Sequence, residues 1–291
     1  MNFADLQVFK SVVEEGGVIR AANKLHRVPS AVTTRIKQLE ASMGVKLFYR
    51  DRQRLHLSPA GELLKDYADR LIRLSDEARD VVSGTKPRGV LRLGALESTT
   101  ASRLPPILSS FHARYRDVRL ELVTGTNDAL LKQLVERQLD AAFIAESPPP
   151  KAFDHIPVFA ERLTLISSLD RQPIRRAGDV HDDSLIAFPE GCAYRRVLQR
   201  WLGRDSLATF RVLELSSYHA IVACVTAGAG IALMPESVLD AIPQAKVQRH
   251  AIPKAQGQIT TPLVWRHGEI SPSVLALRTL LAPLAQQKRA A

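Results

Sequence analysis

Apolar residues recur at helical spacing through the first 43 residues and predict three short helices. The pattern covers residues 4–13 before a glycine pair ends it. A second helix is predicted for residues 18–25 and a third for residues 29–43, where Pro29 occupies the first turn because its missing N–H costs nothing there. Two short helices joined by a tight turn predict a helix-turn-helix.

After Gly44 the pattern changes twice. A polar tip at residues 50–54, followed by alternating leucines, predicts a β-hairpin beside the third helix. Ser58 and Pro59 then begin a long helix as cap and first residue. Its apolar positions step by three or four: Leu64, Tyr67, Leu71, Leu74, Ala78 and Val81. An isolated helix has no core of its own, so we expect this stripe to pack on a second copy of the chain, with packing inside one chain as the alternative.

Beyond a hinge at residues 84–89, strands and helices alternate, which predicts an α/β unit with a largely parallel sheet. The three prolines at residues 148–150 and the next few residues are interpreted as a crossover to a second lobe, whose first strand is predicted at 163–167. A strand at residues 261–265 returns to the first lobe. The predicted division is 1–58, 59–86 and 87–291, the last comprising lobe I (about 90–160 and 261–291) and lobe II (about 161–260).

Composition places the chain among ordinary globular proteins, with 291 residues, 45% apolar and 24% charged. Two cysteines exclude a disulfide framework. The first fifteen residues carry charges that a signal peptide's apolar segment lacks, and the longest uncharged stretch, 215–235, is interrupted by glycines. We therefore expect a cytoplasmic protein without membrane contact.

The charge is uneven along the chain, and this changes the interpretation of the first helices. The chain carries a net charge of +10, and residues 20–56 contain nine basic and two acidic residues, a local charge of +7. Residues 57–84 have a charge of −2. A basic helix-turn-helix favours DNA as the partner, through phosphate contacts and a recognition helix in the major groove.

The candidate DNA contacts lie on the outward side of the third helix, just before it, and on the hairpin. Hydroxyl and basic side chains there can reach base edges or phosphates, while hairpin arginines can reach the backbone or minor groove. The candidates are Arg27, Pro29, Ser30, Thr33, Thr34, Arg35, Lys37, Arg50, Arg52 and Arg54.

Three motifs carry a family resemblance: AAxxL at residues 21–25, IxxLExxxGxxLFxR at 36–50 and LxxAG at 57–61. Together they resemble the winged helix-turn-helix of the LysR-type transcriptional regulators, and the rest of the chain continues the resemblance. It implies an α+β multidomain protein: a mainly α winged helix-turn-helix, a linker helix, and a two-lobed α/β domain resembling periplasmic binding proteins. It also implies binding of double-stranded promoter DNA, a homodimer through the linker helix that assembles into a homotetramer, and a small-molecule effector.

The chain departs from the family at the start of the recognition helix. Val28 and Pro29 stand where members usually carry serine and glutamine, and Thr34 stands where an arginine is common, Arg35 being displaced by one position. The base preferences of typical members therefore do not carry over.

The effector site is predicted between the lobes, where strands end and helices begin. Ser98, Thr99 and Thr100 follow the first strand and Thr126 the second; the resemblance matches Ser98 and Thr126 to inducer-contacting positions. From the second lobe we expect four further residues: Phe188, Cys192, Tyr194 and Arg195.

Several of these residues have a simpler interpretation. Ser98 and Thr99 could cap a helix, Arg195 could be a surface charge, and Cys192 could be a small turn residue. Tyr218 is interpreted as packing at a helix start rather than contacting a ligand. Glu97, next to the cleft, is an acid that could pair with an amine ligand.

No catalytic, metal or cofactor site is predicted. The Gly228-Ala-Gly230 segment lacks the rest of a dinucleotide fingerprint, there is no phosphate-loop lysine motif, and the histidines lack metal-ligand spacing. The alternative is a solute-binding protein, which the basic N-terminal segment and the missing export signal oppose. Three segments also resemble a LysR subgroup: SYHAIVACVTAGAGIALMPESVL at residues 217–239, GCAYRR at 191–196 and GALESTT at 94–100. This subgroup includes a regulator of putrescine and amine utilisation in enteric bacteria, which points to amine or nitrogen metabolism.

Overall fold

A computed structural model describes residues 1–51, 54–83, 86–146, 148, 151–180, 184–203, 207 and 209–287. The chain divides into two compact units, Met1–Thr85 and Lys86–Ala291. Within the described residues, no helix is both long and apolar enough to cross a membrane. The same residues contain no cluster of three or more His, Cys, Asp or Glu side chains suited to a metal ion.

The first unit is a winged helix-turn-helix followed by a long helix. Its elements are α1 Phe3–Glu15, α2 Val18–Lys24, α3 Pro29–Met43, β1 Phe48–Asp51, β2 Arg54–Leu57 and α4 Pro59–Ser83. Asn2 caps α1 by accepting from the Asp5 N–H at 2.9 Å, and Asp5 reciprocates at 3.3 Å. Gly61 is required where it stands, because a Cβ there would lie 2.2 Å from the Leu47 carbonyl oxygen.

Helix α4 has two differently used apolar faces. Leu64 and Ala68 are buried in the core that α1, α2 and α3 form. A second stripe is exposed: Leu63, Tyr67, Leu71 and Leu74. The stripe predicted from the sequence is therefore split, since Leu64 packs within its own unit and the neighbouring positions remain open.

The second unit is a two-lobed α/β domain. Its helices are α5 Glu97–Ser102, α6 Leu104–Arg114, α7 Asn127–Val135, α8 Ala193–Trp201, α9 Tyr218–Thr226, α10 Glu236–Asp240, α11 Lys254–Gly257 and α12 Pro272–Gln287. Its strands are β3 Gly89–Ala95, β4 Val118–Thr124, β5 Ala141–Phe143, β6 Phe153–Ser167, β7 Leu185–Ala187, β8 Val212–Glu214, β9 Ile231–Pro235, β10 Gln248–Ala251 and β11 Gln258–Arg266. A single 3-10 turn occupies Ala177–Val180.

The strands form one continuous path in the order β4-β3-β5-β11-β6-β9-β7-β8, with β10 also pairing with β6. Strands β3, β4 and β5 are parallel and belong to lobe I, while β7, β8 and β9 are parallel and belong to lobe II. Strands β6 and β11 run antiparallel to each other from one lobe into the other. The cores of the two lobes merge, because Leu130 and Leu134 of α7 belong to the same buried cluster as Val197 of α8.

The crossover expected after the prolines is made by a continuous strand and not by an irregular connection. Residues 153–167 form one strand of 15 residues, where the sequence indicated a connection and then a short strand at 163–167. Proline is unusual inside a paired strand because it lacks the N–H that pairing needs. Here Pro157 lies opposite Pro262, next to a register shift between Thr261 and Pro262. Because of these two prolines, the sequence pattern does not predict the full length of either strand.

Candidate nucleic-acid interface and ligand cavity

The outward face of α3 carries exposed polar side chains at helical spacing: Ser30, Thr34 and Lys37. On the opposite side of the helix the apolar residues are buried. Arg27 lies exposed in the turn before α3, and Pro29 is exposed at its first position. A helix face that combines hydroxyl and basic groups can hydrogen-bond base edges and phosphates in a DNA groove.

Two other residues predicted to contact DNA form hydrogen bonds within the first unit. The Thr33 hydroxyl donates to the Pro29 carbonyl oxygen at 2.9 Å, which uses its only proton. The Arg35 guanidinium donates to Asp5, with Nη1 and Oδ1 2.9 Å apart, and the Asp5 carboxylate is buried. Arg35 is thus directed at α1, and the expectation that its guanidinium lies free beside the recognition face is corrected.

Ion pairs distinguish the basic side chains of the first unit. Lys24 lies 3.0 Å from Glu14 and 2.9 Å from Glu15. By contrast, among the side chains described for residues 1–83, Arg27 and Lys37 are exposed and have no acidic partner. Their charges remain available to phosphates.

The wing is a β1–β2 hairpin whose register pairs Arg50 with Leu55 and Asp51 with Arg54. Arg50 and Arg54 therefore lie on the strands, but their side chains, like the whole of Arg52, lie outside the described part of the chain.

Glu40 joins the end of α3 to the start of the wing. One carboxylate oxygen accepts from the Leu47 N–H at 2.9 Å and the Phe48 N–H at 3.4 Å, and the other accepts from Lys46 Nζ at 2.8 Å. Burial alone would raise the pKa of Glu40, but these donors stabilise the anion and hold its pKa below the ordinary value. The recognition helix and the wing are thereby held in fixed relation.

In the second unit a cavity of about 250 Å³ lies between the lobes. It occupies the region where four strands end: β3 and β4 of lobe I, and β7 and β8 of lobe II. Carboxyl ends of parallel strands are the usual ligand site of open α/β sheets. The lining residues are Leu96, Glu97, Ser98, Thr124, Gly125, Thr126, Phe188, Pro189, Cys192, Ala193, Tyr194, Ser216 and Tyr218.

Five of the eight predicted effector residues line this cavity: Ser98, Thr126, Phe188, Cys192 and Tyr194. The Ser98 hydroxyl lies 3.2 Å from the Tyr194 hydroxyl, a hydrogen bond from lobe I to lobe II. The Thr126 hydroxyl caps α7 by accepting from the Ala129 N–H at 3.4 Å.

The other three predicted residues do not line the cavity. Thr99 is buried, and the Thr100 hydroxyl donates to the Leu96 carbonyl oxygen at 3.1 Å, because successive helical residues turn away from the cleft. Arg195 donates to the Phe188 carbonyl oxygen at 2.9 Å and pairs with Glu214. The expectation that Arg195 supplies a cation to the cleft is therefore corrected.

Cys192 lines the cavity without the properties of a reactive thiol. Its side chain is buried, and burial raises the pKa of the thiol. A thiol with a raised pKa holds little thiolate at neutral pH and so reacts slowly.

Two lining residues outside the predicted site contribute distinctive chemistry. The Tyr218 and Phe188 rings lie 4.6 Å apart between centroids. Glu97 contributes a carboxyl group whose Oε2 is buried without a hydrogen-bond partner, and desolvation raises the pKa of this group. The sequence predicts Glu97 beside the cleft because it follows β3. Tyr218 is interpreted from the sequence as packing at a helix start, because β8, the three-residue strand before it, is too short to detect from its pattern.

Comparison with known protein families assigns both units. The family described as the LysR substrate binding domain matches residues 84–286. The family described as bacterial regulatory helix-turn-helix protein, lysR family, matches residues 3–62.

Relatives match along nearly the whole chain. The HTH-type transcriptional regulator CzcR of Bacillus thuringiensis is 35% identical over 268 residues, covering 91% of this chain and 91% of that protein. The uncharacterized HTH-type transcriptional regulator YusT of Bacillus subtilis is 34% identical over 292 residues, covering 100% and 97%.

Solved structures share the fold at lower identity. A full-length OxyR variant from Pseudomonas aeruginosa matches with a TM-score of 0.72 and 20% identity, covering 98% of this chain and 94% of that one. Full-length CbnR in complex with its target DNA matches with a TM-score of 0.67 and 21% identity, covering 98% and 100%. From its two domain matches and its relatives, the chain belongs to the LysR family: it is a DNA-binding transcriptional regulator with a C-terminal effector-binding domain, and not an enzyme.

Proposed function

We propose that this regulator binds a dyad-symmetric promoter site as a dimer and that a small molecule in the interlobe cavity changes its DNA binding or bending. The observation that carries the proposal is the cavity itself, which is enclosed by residues of both lobes. A ligand held by both lobes favours one arrangement of them, and only such differential binding can shift a conformational equilibrium. Couplings of this kind are about 1–3 kcal/mol.

For the DNA contacts we propose Ser30 and Thr34 as base-reading residues and Arg27 and Lys37 as phosphate contacts. Exposure of all four side chains at or before the same helix face supports this assignment. Wing arginines Arg50, Arg52 and Arg54 remain proposed phosphate or minor-groove contacts, and Pro29 a proposed neighbour of the backbone.

For assembly we propose that α4 joins two copies of the chain and that effector domains then associate into a tetramer. Support comes from the exposed stripe of Leu63, Tyr67, Leu71 and Leu74 along a helix of 25 residues. A link to amine or nitrogen metabolism is likewise proposed; it rests on sequence resemblance and on the chemistry of the cavity.

Footprinting tests the function directly. Full-length protein is titrated onto the DNA upstream of its own gene, with candidate metabolites added. We expect a protected site with dyad symmetry and a change in the footprint when an effector is present. Ligand affinity without any DNA binding at low salt, where phosphate contacts are strongest, would contradict the proposal and favour a solute-binding role.

Thr34→Ala tests the assigned base reader. It should reduce discrimination between operator variants, with each lost base contact costing about 1–3 kcal/mol. Thr279→Ala, on α12 of the other unit, is the matched control and should leave discrimination unchanged. Equal discrimination by Thr34→Ala and the parent would remove Thr34 from base reading.

A further inference from the structure

The interlobe cavity has an unusual charge balance. Among the described residues that line it, Glu97 alone has a formally charged side chain, and none is Lys, Arg or His. Two nearby arginines are engaged elsewhere, since Arg195 pairs with Glu214 and Arg196 lies 3.5 Å from Asp128. His219, outside the lining, interacts with Glu97 through its charge. An anionic ligand would therefore enter a cavity that offers it no cation and presents a carboxylate.

The Glu97 carboxyl is only partly satisfied within the protein. It accepts a hydrogen bond from the Tyr218 backbone N–H across the cleft, while Oε2 is buried without a donor. A buried acceptor left unpaired costs free energy, more so if it is charged. Such a group on a cavity wall is suited to a donor that the ligand brings.

The remaining wall suits the body of an organic cation. The Phe188 and Tyr218 rings are tilted by 47° to each other, and Tyr194 also lines the cavity. Aromatic faces attract ammonium groups, most strongly where water is excluded. Apolar contacts from Leu96 and Pro189 complete a surface for a hydrocarbon group.

We propose that the effector is a small organic amine bound as its ammonium ion, which donates to Glu97 Oε2 while its apolar body lies against Phe188 and Tyr218. This inference rests on the proposed function, since it names the class of molecule that occupies the effector cavity. The proposal also gives Glu97 a role in signalling. Its carboxylate belongs to lobe I and already accepts a hydrogen bond from the Tyr218 N–H of lobe II, so a bound ammonium group would reinforce the link between the lobes.

Two matched sets of probes test the class of ligand on the full-length protein. The first set is 2-phenylethylamine, 2-phenylethanol and phenylacetate, and the second is hexylamine, hexanol and hexanoate. Affinities are measured by calorimetry at neutral pH. In at least one set we expect the amine to bind about tenfold tighter than the alcohol, and the carboxylate to bind weakest. A carboxylate that binds tightest, or the absence of amine binding in both sets at millimolar concentration, would overturn the proposal.

Glu97→Gln tests the residue. Glutamine keeps the size and the acceptor for the Tyr218 N–H but removes the charge. The preference for amine over alcohol should fall to within about twofold, with alcohol binding unchanged. Glu136→Gln, at a half-buried carboxylate that follows α7 and lies outside the cavity lining, should retain the full preference. If Glu97→Gln retains it as well, Glu97 is not the ammonium partner.

Measuring promoter binding in the absence of ligand distinguishes failure of this inference from failure of the proposed function. Specific promoter binding with no amine affinity would leave the regulator intact and overturn only the effector class. Amine affinity without specific DNA binding would support the cavity chemistry and overturn the proposed regulation.

Discussion

The Glu40 carboxylate accepts a hydrogen bond from the Leu47 N–H at 2.9 Å, and this contact joins the recognition helix to the wing. Removing the carboxylate leaves the buried Leu47 N–H, the partly buried Phe48 N–H and the Lys46 ammonium without their partner. Glu40→Ala should therefore lower the free energy of unfolding of the first unit by about 1–3 kcal/mol. DNA affinity should fall as well, because the wing loses its fixed position.

Urea unfolding monitored by circular dichroism measures the decrease in the free energy of unfolding of the Glu40→Ala variant. Because the native pKa of Glu40 is lowered, its contribution is present above the unfolded pKa of about 4.3 and disappears as the pH falls through the native value. The variant and the parent should converge in acid. Glu62→Ala, an exposed carboxylate on α4, is the control. A stability of Glu40→Ala equal to that of the parent at neutral pH would refute the role.

Lys37→Ala should change DNA binding and Arg35→Ala should change stability, although each variant removes one positive charge from α3. Lys37 has no partner among the described residues, so its removal should reduce the salt dependence of DNA binding by about one unit of slope and leave stability unchanged. Arg35 is bound to Asp5, so its removal should lower the melting temperature. Anisotropy titrations across salt concentrations and thermal melts make the comparison.

A double-mutant cycle checks the Arg35 assignment. Asp5→Ala and Arg35→Ala should couple by about 1 kcal/mol, since both single variants break the same ion pair. Additive effects would show that the pair contributes nothing to stability. A slope unchanged by Lys37→Ala would remove Lys37 from the phosphate contacts.

The exposed stripe on α4 should hold the dimer together. Tyr67 is 58% exposed and Leu71 41% exposed, so placing lysines at both positions should not disturb the core of the unit. We expect the double variant Tyr67→Lys, Leu71→Lys to sediment as a smaller species in analytical ultracentrifugation. Val135→Lys on α7, 62% exposed in the parent, introduces a charge at an apolar site elsewhere and should not change the assembly. An unaltered size of the double variant would place the interface on another surface.

His250 should make the stability of the second unit depend on pH. Its Nδ1 accepts from the Ile174 N–H at 3.1 Å, and its Nε2 lies 2.8 Å from the Ser167 hydroxyl, so the ring is held neutral. Burial, aided by Arg171, lowers the pKa of His250. The unfolded state binds the proton first, so stability should decline as the pH falls below about 6.5.

Urea midpoints between about pH 7.5 and about pH 5.5 test the His250 effect. His250→Asn retains an acceptor near Nδ1 but cannot titrate; it should be less stable at neutral pH and should lack the decline. His112→Asn removes an exposed histidine and should follow the parent. A parent midpoint that is constant over this range would contradict the prediction.

Local pattern was sufficient for most of the fold and for part of the site. Helix α3 was predicted with its observed bounds because Pro29 and Gly44 mark both ends. Strand β8 was missed because three residues carry no period, and Tyr218, interpreted as packing at a helix start, lies at the start of α9 and also lines the cavity. Arg195 was misplaced because Glu214, its partner, lies 19 positions away in sequence and is brought near only by the pairing of β7 with β8.

The facing prolines of β6 and β11 have a mechanical consequence for the regulator. Pro157 and Pro262 have no N–H, so at this level neither strand can donate a backbone hydrogen bond to the other. Elsewhere the strands are cross-linked in the ordinary way. Of the described strands, β6 and β11 run through both lobes, so these two residues without an N–H lie in the segment that any change of angle between the lobes has to bend.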